Sequence, residues 1–174
     1  MGTLAALTTA ASVRLLLEAN VSVVLEKREA IRSLITKSSK LLDAEDFEGY
    51  TGLFTPSAEY AIISYSPEIG RDSTWFRVDR EELARLMKEA PQHIHDLASR
   101  FHLVTVDDVE IEGDTARAAS NFVVIRTAAR GDSSLYAVGE YQDELIYIKG
   151  MWLLSNRTVR VHTRMLQVPT PMPL

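Results

Sequence analysis

The sequence predicts an α+β fold in which a curved antiparallel sheet wraps on helices that precede it. Residues 99–165 read as four successive strands, rich in Val, Ile, Thr, Tyr, Phe and Trp. Only the turn signals Gly113-Asp114, Ala129-Arg130-Gly131-Asp132 and Lys149-Gly150 interrupt them. The clear helical periodicity lies upstream of this meander, and helices segregated from a long run of strands argue against a parallel α/β sheet.

Residues 1–11 are small and unpatterned and are expected to be poorly ordered. From Ser12 to Glu26 the apolar residues, among them Leu15, Leu16, Leu17, Val21, Val23 and Val24, are too dense to separate helix from strand. Lys27 to Asp43 is helical, because Ile31, Leu34, Ile35, Ser38, Leu41 and Leu42 recur three and four apart. A short helix follows over Asp46 to Leu53, with Phe47, Tyr50, Leu53 and Phe54 on one side, and Thr55-Pro56-Ser57 ends it. Glu59 to Tyr65 alternates as a strand, and Ser66-Pro67 with Gly70 opens a loop running to Trp75. Asp79 and Glu82 have capping-box spacing, which starts a third helix over about Arg80 to Ala90 with Leu83, Leu86 and Met87 inward. Without repeats or linkers the chain divides into a leading segment 1–26, one domain over 27–168, and a tail 169–174. Pro169, Pro171 and Pro173 keep that tail extended.

Lys149-Gly150 as a two-residue hairpin loop sets Ile148 opposite Met151. Strict alternation then places Tyr141, Leu145, Tyr147, Trp152 and Leu154 on one face. Glu140, Gln142, Glu144, Ile146, Met151, Leu153, Ser155, Arg157 and Val159 share the other, where Glu144 and Arg157 become diagonal neighbours able to pair their charges. This mixed second face suits either solvent or a partner.

The 174 residues fit one domain. No cysteine is present, which excludes disulfides, thiolate nucleophiles and cysteine-held zinc or iron-sulfur clusters. A net charge of -5 without a basic, aromatic-interleaved patch argues against nucleic acid; Arg157, Arg160 and Arg164 alternate with Val159, Val161 and Met165 as a strand should. No run is apolar enough for a membrane span, and Met1 to Ala11 lacks the basic region of a secretory signal, so a cytoplasmic protein is expected.

His102, near the start of the first meander strand, could act as a general base with Asp43 or Tyr60 as helper; the alternative is a histidine hydrogen-bonded at a strand edge or subunit contact. His93 and His95 are two apart and point away from each other on a helix, so a loop pair is expected rather than a metal site. Asp107, Asp108, Glu110 and Glu112 read as a solvated strand edge. Trp75-Phe76, placed in a loop, reads as a partner anchor or a plug in the core.

Three stretches carry a resemblance: LLDAEDFEGYTGLFTPSAEY (Leu41–Tyr60), SRFHLVTVDDVEI (Ser99–Ile111) and YQDELIYIKGMWLLSNRTVRV (Tyr141–Val161). The most specific positions are Ser99-Arg100 with His102-Leu103-Val104-Thr105, and Asp143-Glu144-Leu145 with Gly150, Trp152, Arg157 and Val159. Together they resemble the small, β subunit of aromatic-ring-hydroxylating dioxygenases. That resemblance implies the cone-like fold shared with nuclear transport factor 2, ketosteroid isomerases and scytalone dehydratase. It also implies a structural subunit, trimeric beneath three α subunits, with no catalytic residue of its own. The Rieske [2Fe-2S] cluster and the mononuclear iron would then sit in the α subunit. Trp75, Arg100, His102, Glu144, Arg157 and Arg160 are the interface candidates. The competing expectation is a free-standing dehydratase, isomerase or cyclase of the same fold using His102, Asp43 and Tyr60. An open polar pocket would favour the enzyme and a filled cone the subunit.

Overall fold

A computed structural model describes residues 2–93, 96–166, 168 and 174. The first helix, α1 (Gly2–Asp43), takes in both the segment 2–11 expected to lack order and the segment 12–26 left between helix and strand. The physical reason is propensity: this part of the chain is rich in Ala and Leu and free of proline. At 1.5 Å per residue α1 is about 63 Å long. Its last turns carry the predicted stripe, with Ile31, Ile35, Ser38 and Leu42 buried, whereas Val21, Val23, Val24 and Leu25 nearer the start are exposed.

Helix α2 (Phe47–Thr51) begins at Asp46, whose side chain accepts the Gly49 N–H at 2.8 Å. Strand β1 (Phe54–Ser66) starts where the helix was expected merely to stop, and it contains Pro56. The proline is tolerated because pairing with the neighbouring strand breaks between Phe54 and Glu59. The expected loop to Trp75 is instead β2 (Arg71–Asp79), antiparallel to β1, so Trp75 and Phe76 are strand residues. As an edge strand exposed along most of its length, β2 lacks the apolar alternation by which strands are read. Helix α3 (Arg80–His93) is capped as predicted, Asp79 accepting the Glu82 N–H at 2.8 Å.

The meander forms β3 (Ser99–Glu112), β4 (Thr115–Thr127), β5 (Ser133–Ile148) and β6 (Met151–Val161). Ile148 faces Met151, and Lys149 and Gly150 both take positive φ (50° and 88°), the twist that a two-residue hairpin loop requires. The sheet runs β2-β1-β6-β5-β4-β3. One pair departs from the antiparallel expectation: β1 lies parallel to β6, which the long excursion through β2 to β5 permits.

Single-residue register shifts bend this sheet, and they also reassign its faces. One falls between Val106 and Asp108, one opposite Val124/Ile125, and one opposite Glu144/Leu145. At the last, Leu145 pairs with Leu154 while Glu144 pairs with Asn156, so Ser155 is the extra residue. Alternation in β6 changes phase there: Trp152 and Leu154 point inward before Ser155, and Arg157, Val159 and Val161 after it. Strict alternation put Arg157 and Val159 on the outer face, and the bulge puts them in the core. At Gly139 a Cβ would lie 2.2 Å from the Arg160 carbonyl oxygen and 2.7 Å from the Phe122 ring, so only glycine allows this approach.

Candidate functional site in the concave face

The inward side chains of β1, β3, β4, β5 and β6, covered by α1, form a largely apolar interior that also holds buried Ser38, Ser64 and Ser120 and two acid–base pairs. Asp43 is the last residue of α1, and its two carboxylate oxygens each accept the backbone N–H of His102 at 3.1 Å. The same carboxylate lies 2.5 Å from His102 Nδ1. A carboxylate can only accept, so the Nδ1 that faces it carries a proton. The other ring nitrogen, Nε2, is buried without a hydrogen-bond partner. A ring oriented by a carboxylate at one nitrogen and unpartnered at the other has the geometry that a general base requires.

The second pair lies deeper. Arg157 donates to both oxygens of Asp143, each at 2.7 Å, and to Ser38 Oγ at 2.9 Å, and both charged side chains are fully buried. Its guanidinium also sits 4.4 Å from the Tyr141 ring centroid, and Tyr141 stacks on Phe122 at 4.6 Å. Burial works against the Arg157 charge, but Asp143 overcomes it and holds the group well above its ordinary pKa. Burial likewise raises the pKa of Tyr50 and Tyr141, with Arg157 opposing in both cases.

Of the three residues of the enzyme reading, His102 and Asp43 meet. Tyr60 does not join them; its hydroxyl donates to the Leu174 carbonyl oxygen at 3.1 Å. A cleft of about 730 Å³ lies between α1, α2 and the β5–β6 hairpin, lined by Lys27, Leu34, Tyr147, Met151 and Trp152 among others, and none of the three residues borders it.

The interface candidates divide. Trp75 and Glu144 are on the surface. Arg160 is partly exposed and bound to both oxygens of Asp72 at 2.7 and 2.9 Å. Arg100 lies over the Tyr136 ring at 5.1 Å. His102 and Arg157 are buried within the chain, at 7% and 1% exposure, and so offer no surface to a partner. The expected Glu144–Arg157 pair is absent for the same reason: the bulge gives Arg157 to Asp143, and Glu144 instead accepts from Asn156 at 2.8 Å. Asp143 is legible in the sequence only as a position of the resemblance, and its pairing with Arg157 is not, because that pairing depends on the bulge. Leu174 gave no signal either, since a lone leucine past a proline-rich tail carries no pattern.

Asp107, Asp108, Glu110 and Glu112 are exposed along β3. Among the described residues no group of three His, Cys, Asp or Glu side chains could hold a metal ion. His93 ends α3, and His95 and Pro169, Pro171 and Pro173 lie outside the described residues. No described helix is long and apolar enough to cross a membrane.

A family model of the SnoaL-like domain matches residues 23–158, from the middle of α1 into β6. The chain belongs to the SnoaL-like family. Among its curated relatives, the β subunit of the methanesulfonate monooxygenase hydroxylase of Methylosulfonomonas methylovora is 29% identical over 156 residues, covering 84% of this chain and 86% of the relative. The 2-aminobenzenesulfonate 2,3-dioxygenase β subunit of an Alcaligenes species is 24% identical over 146 residues, covering 83% and 97%. A crystal structure from Novosphingobium aromaticivorans, described as the β subunit of an aromatic-ring-hydroxylating dioxygenase, superposes with a TM-score of 0.73 at 22% identity. It covers 87% of this SnoaL-like chain and 99% of its own. At that identity the likeness speaks for the cone-like fold, as expected from the sequence.

Proposed function

We propose that this chain is the β subunit of a multicomponent Rieske-type oxygenase, a cytoplasmic assembly in which it supports catalytic α subunits. The observation that carries this reading is the match, over most of both chains, to two proteins named as oxygenase β subunits. The interior is compatible with it: Arg157–Asp143, Tyr141, Phe122 and Trp152 fill the concave face with packed side chains. In this reading the chain forms a trimer beneath three α subunits, and the α subunit holds the Rieske cluster and the mononuclear iron. Both relatives are named for sulfonated substrates, so a sulfonated compound is the first class to assay on the complex.

The test is purification of the tagged chain from its native host, with mass spectrometry, an iron assay and light scattering on the eluate. The expected result is an equimolar, larger, cysteine-containing iron-sulfur protein in a six-chain assembly. Recovery of the chain alone and free of iron would overturn the proposal. A second reading rests on the His102–Asp43 pair with its unpartnered Nε2, which would serve a dehydratase or isomerase of the same fold. It gains support only if the isolated chain turns over a substrate and His102→Gln abolishes that turnover.

A further inference from the structure

We propose that the concave face carries a receptor site for one branched aliphatic peptide residue, built on the Tyr60 hydroxyl, and that Leu174 occupies it in cis. Leu174 is 2% exposed and belongs to the hydrophobic core, although Tyr60 lies far from it in sequence. Its main chain is held twice by one group: the Tyr60 O–H donates to the Leu174 carbonyl oxygen at 3.1 Å, and the Leu174 N–H donates back to the same oxygen at 3.3 Å. A hydroxyl has one donor and two acceptor positions, so it can read the N–H and C=O of a single residue together.

The receptor is rigid. Tyr60 is 1% exposed in the middle of β1, and its ring meets Phe54 and Phe76 edge-on at centroid distances of 6.4 and 6.2 Å. Burial holds the phenol far above its ordinary pKa, which keeps the O–H proton in place at any working pH. Two further contacts hold described residues that precede Leu174. Leu166 packs against the core, and the Tyr136 hydroxyl donates to the Val168 carbonyl oxygen at 2.7 Å. The ligand chemistry follows from what is read: a main-chain N–H and C=O from the same residue, with an isobutyl group among apolar neighbours. This assignment stands apart from the subunit reading, because it concerns how the cone is filled and not what the chain assembles with.

The experiment uses the full-length chain. Native-state hydrogen exchange should show the Leu174 amide protected, and Tyr60→Phe, which removes the hydroxyl but keeps the ring, should speed its exchange by about 10-fold or more. Exchange of Leu174 at the unprotected rate in the unchanged protein would overturn the proposal. Leu174→Asp places a charge that the apolar site rejects. With the site vacated, the probe N-acetyl-leucinamide should bind about 10-fold or more tightly than to the unchanged chain, whose site is already taken. Equal binding by the two proteins, or none by either, would count against a receptor site.

Discussion

Two acid–base pairs share the interior, and they are built differently. Arg157–Asp143 is closed: both carboxylate oxygens are used, Ser38 takes a third donor, an aromatic face covers the guanidinium, and both side chains are wholly buried. His102–Asp43 is half open, since the Asp43 side chain keeps 18% exposure and His102 Nε2 has no partner. A buried charge pair with both carboxylate oxygens and all three guanidinium nitrogens bonded can hold strands and helix in one arrangement. A buried imidazole with an unpartnered ring nitrogen keeps one hydrogen-bonding position free. The difference teaches that charge burial alone does not separate the two pairs; what separates them is how many of their polar atoms are already held.

Arg157→Ala should break the closed pair with the largest effect. It strands Asp143 in the core and should lower unfolding free energy by about 3–5 kcal/mol in urea titrations. The double variant Arg157→Met with Asp143→Leu should recover most of that loss, because no unpaired charge remains. Failure to recover would mean that the pair specifies the fold and does more than satisfy itself.

Asp43→Ala tests the open pair. It leaves the His102 backbone N–H without its acceptor and should cost about 1–3 kcal/mol. Nitrogen NMR of the His102 ring should show the Nδ1-protonated tautomer in the unchanged chain and no such preference in the variant. A fixed tautomer in Asp43→Ala would show that another group orients the ring.

The smallest effect is expected at a partly exposed pair that serves as a control. Arg126 hydrogen-bonds Asp96, at 2.8 Å to one oxygen, and holds its carboxyl below the usual carboxylate range. A lowered folded-state pKa adds stability above the ordinary carboxylate pKa and loses it as pH falls through the lowered value. Asp96→Asn should therefore reduce Tm slightly at neutral pH, and the difference from the unchanged chain should vanish in acid. A difference that persisted in acid would point to a lost hydrogen bond rather than a lost charge.

Much of the architecture could be read from residues in order. The α1 stripe, the Asp79 cap and the Lys149-Gly150 hairpin are local, each decided by side chains within a turn or two of one another. Strand β2 was missed because an exposed edge need not alternate, and the early part of α1 was missed because dense apolar residues obscure period. His102 and Asp43 were legible as candidates by type, whereas their 2.5 Å contact was not.

The sequence by itself determined the α+β class, the four-strand meander, the absence of thiol chemistry and the resemblance to oxygenase β subunits. The first three follow from composition, short-range periodicity and turn chemistry, and the resemblance rests on the stretches Leu41–Tyr60, Ser99–Ile111 and Tyr141–Val161. Tertiary structure alone decided that Arg157 faces Asp143 and that Leu174 reaches Tyr60. One extra residue at Ser155 reverses every side chain that follows it in β6, and such a bulge is fixed by pairing across strands, which no local pattern records.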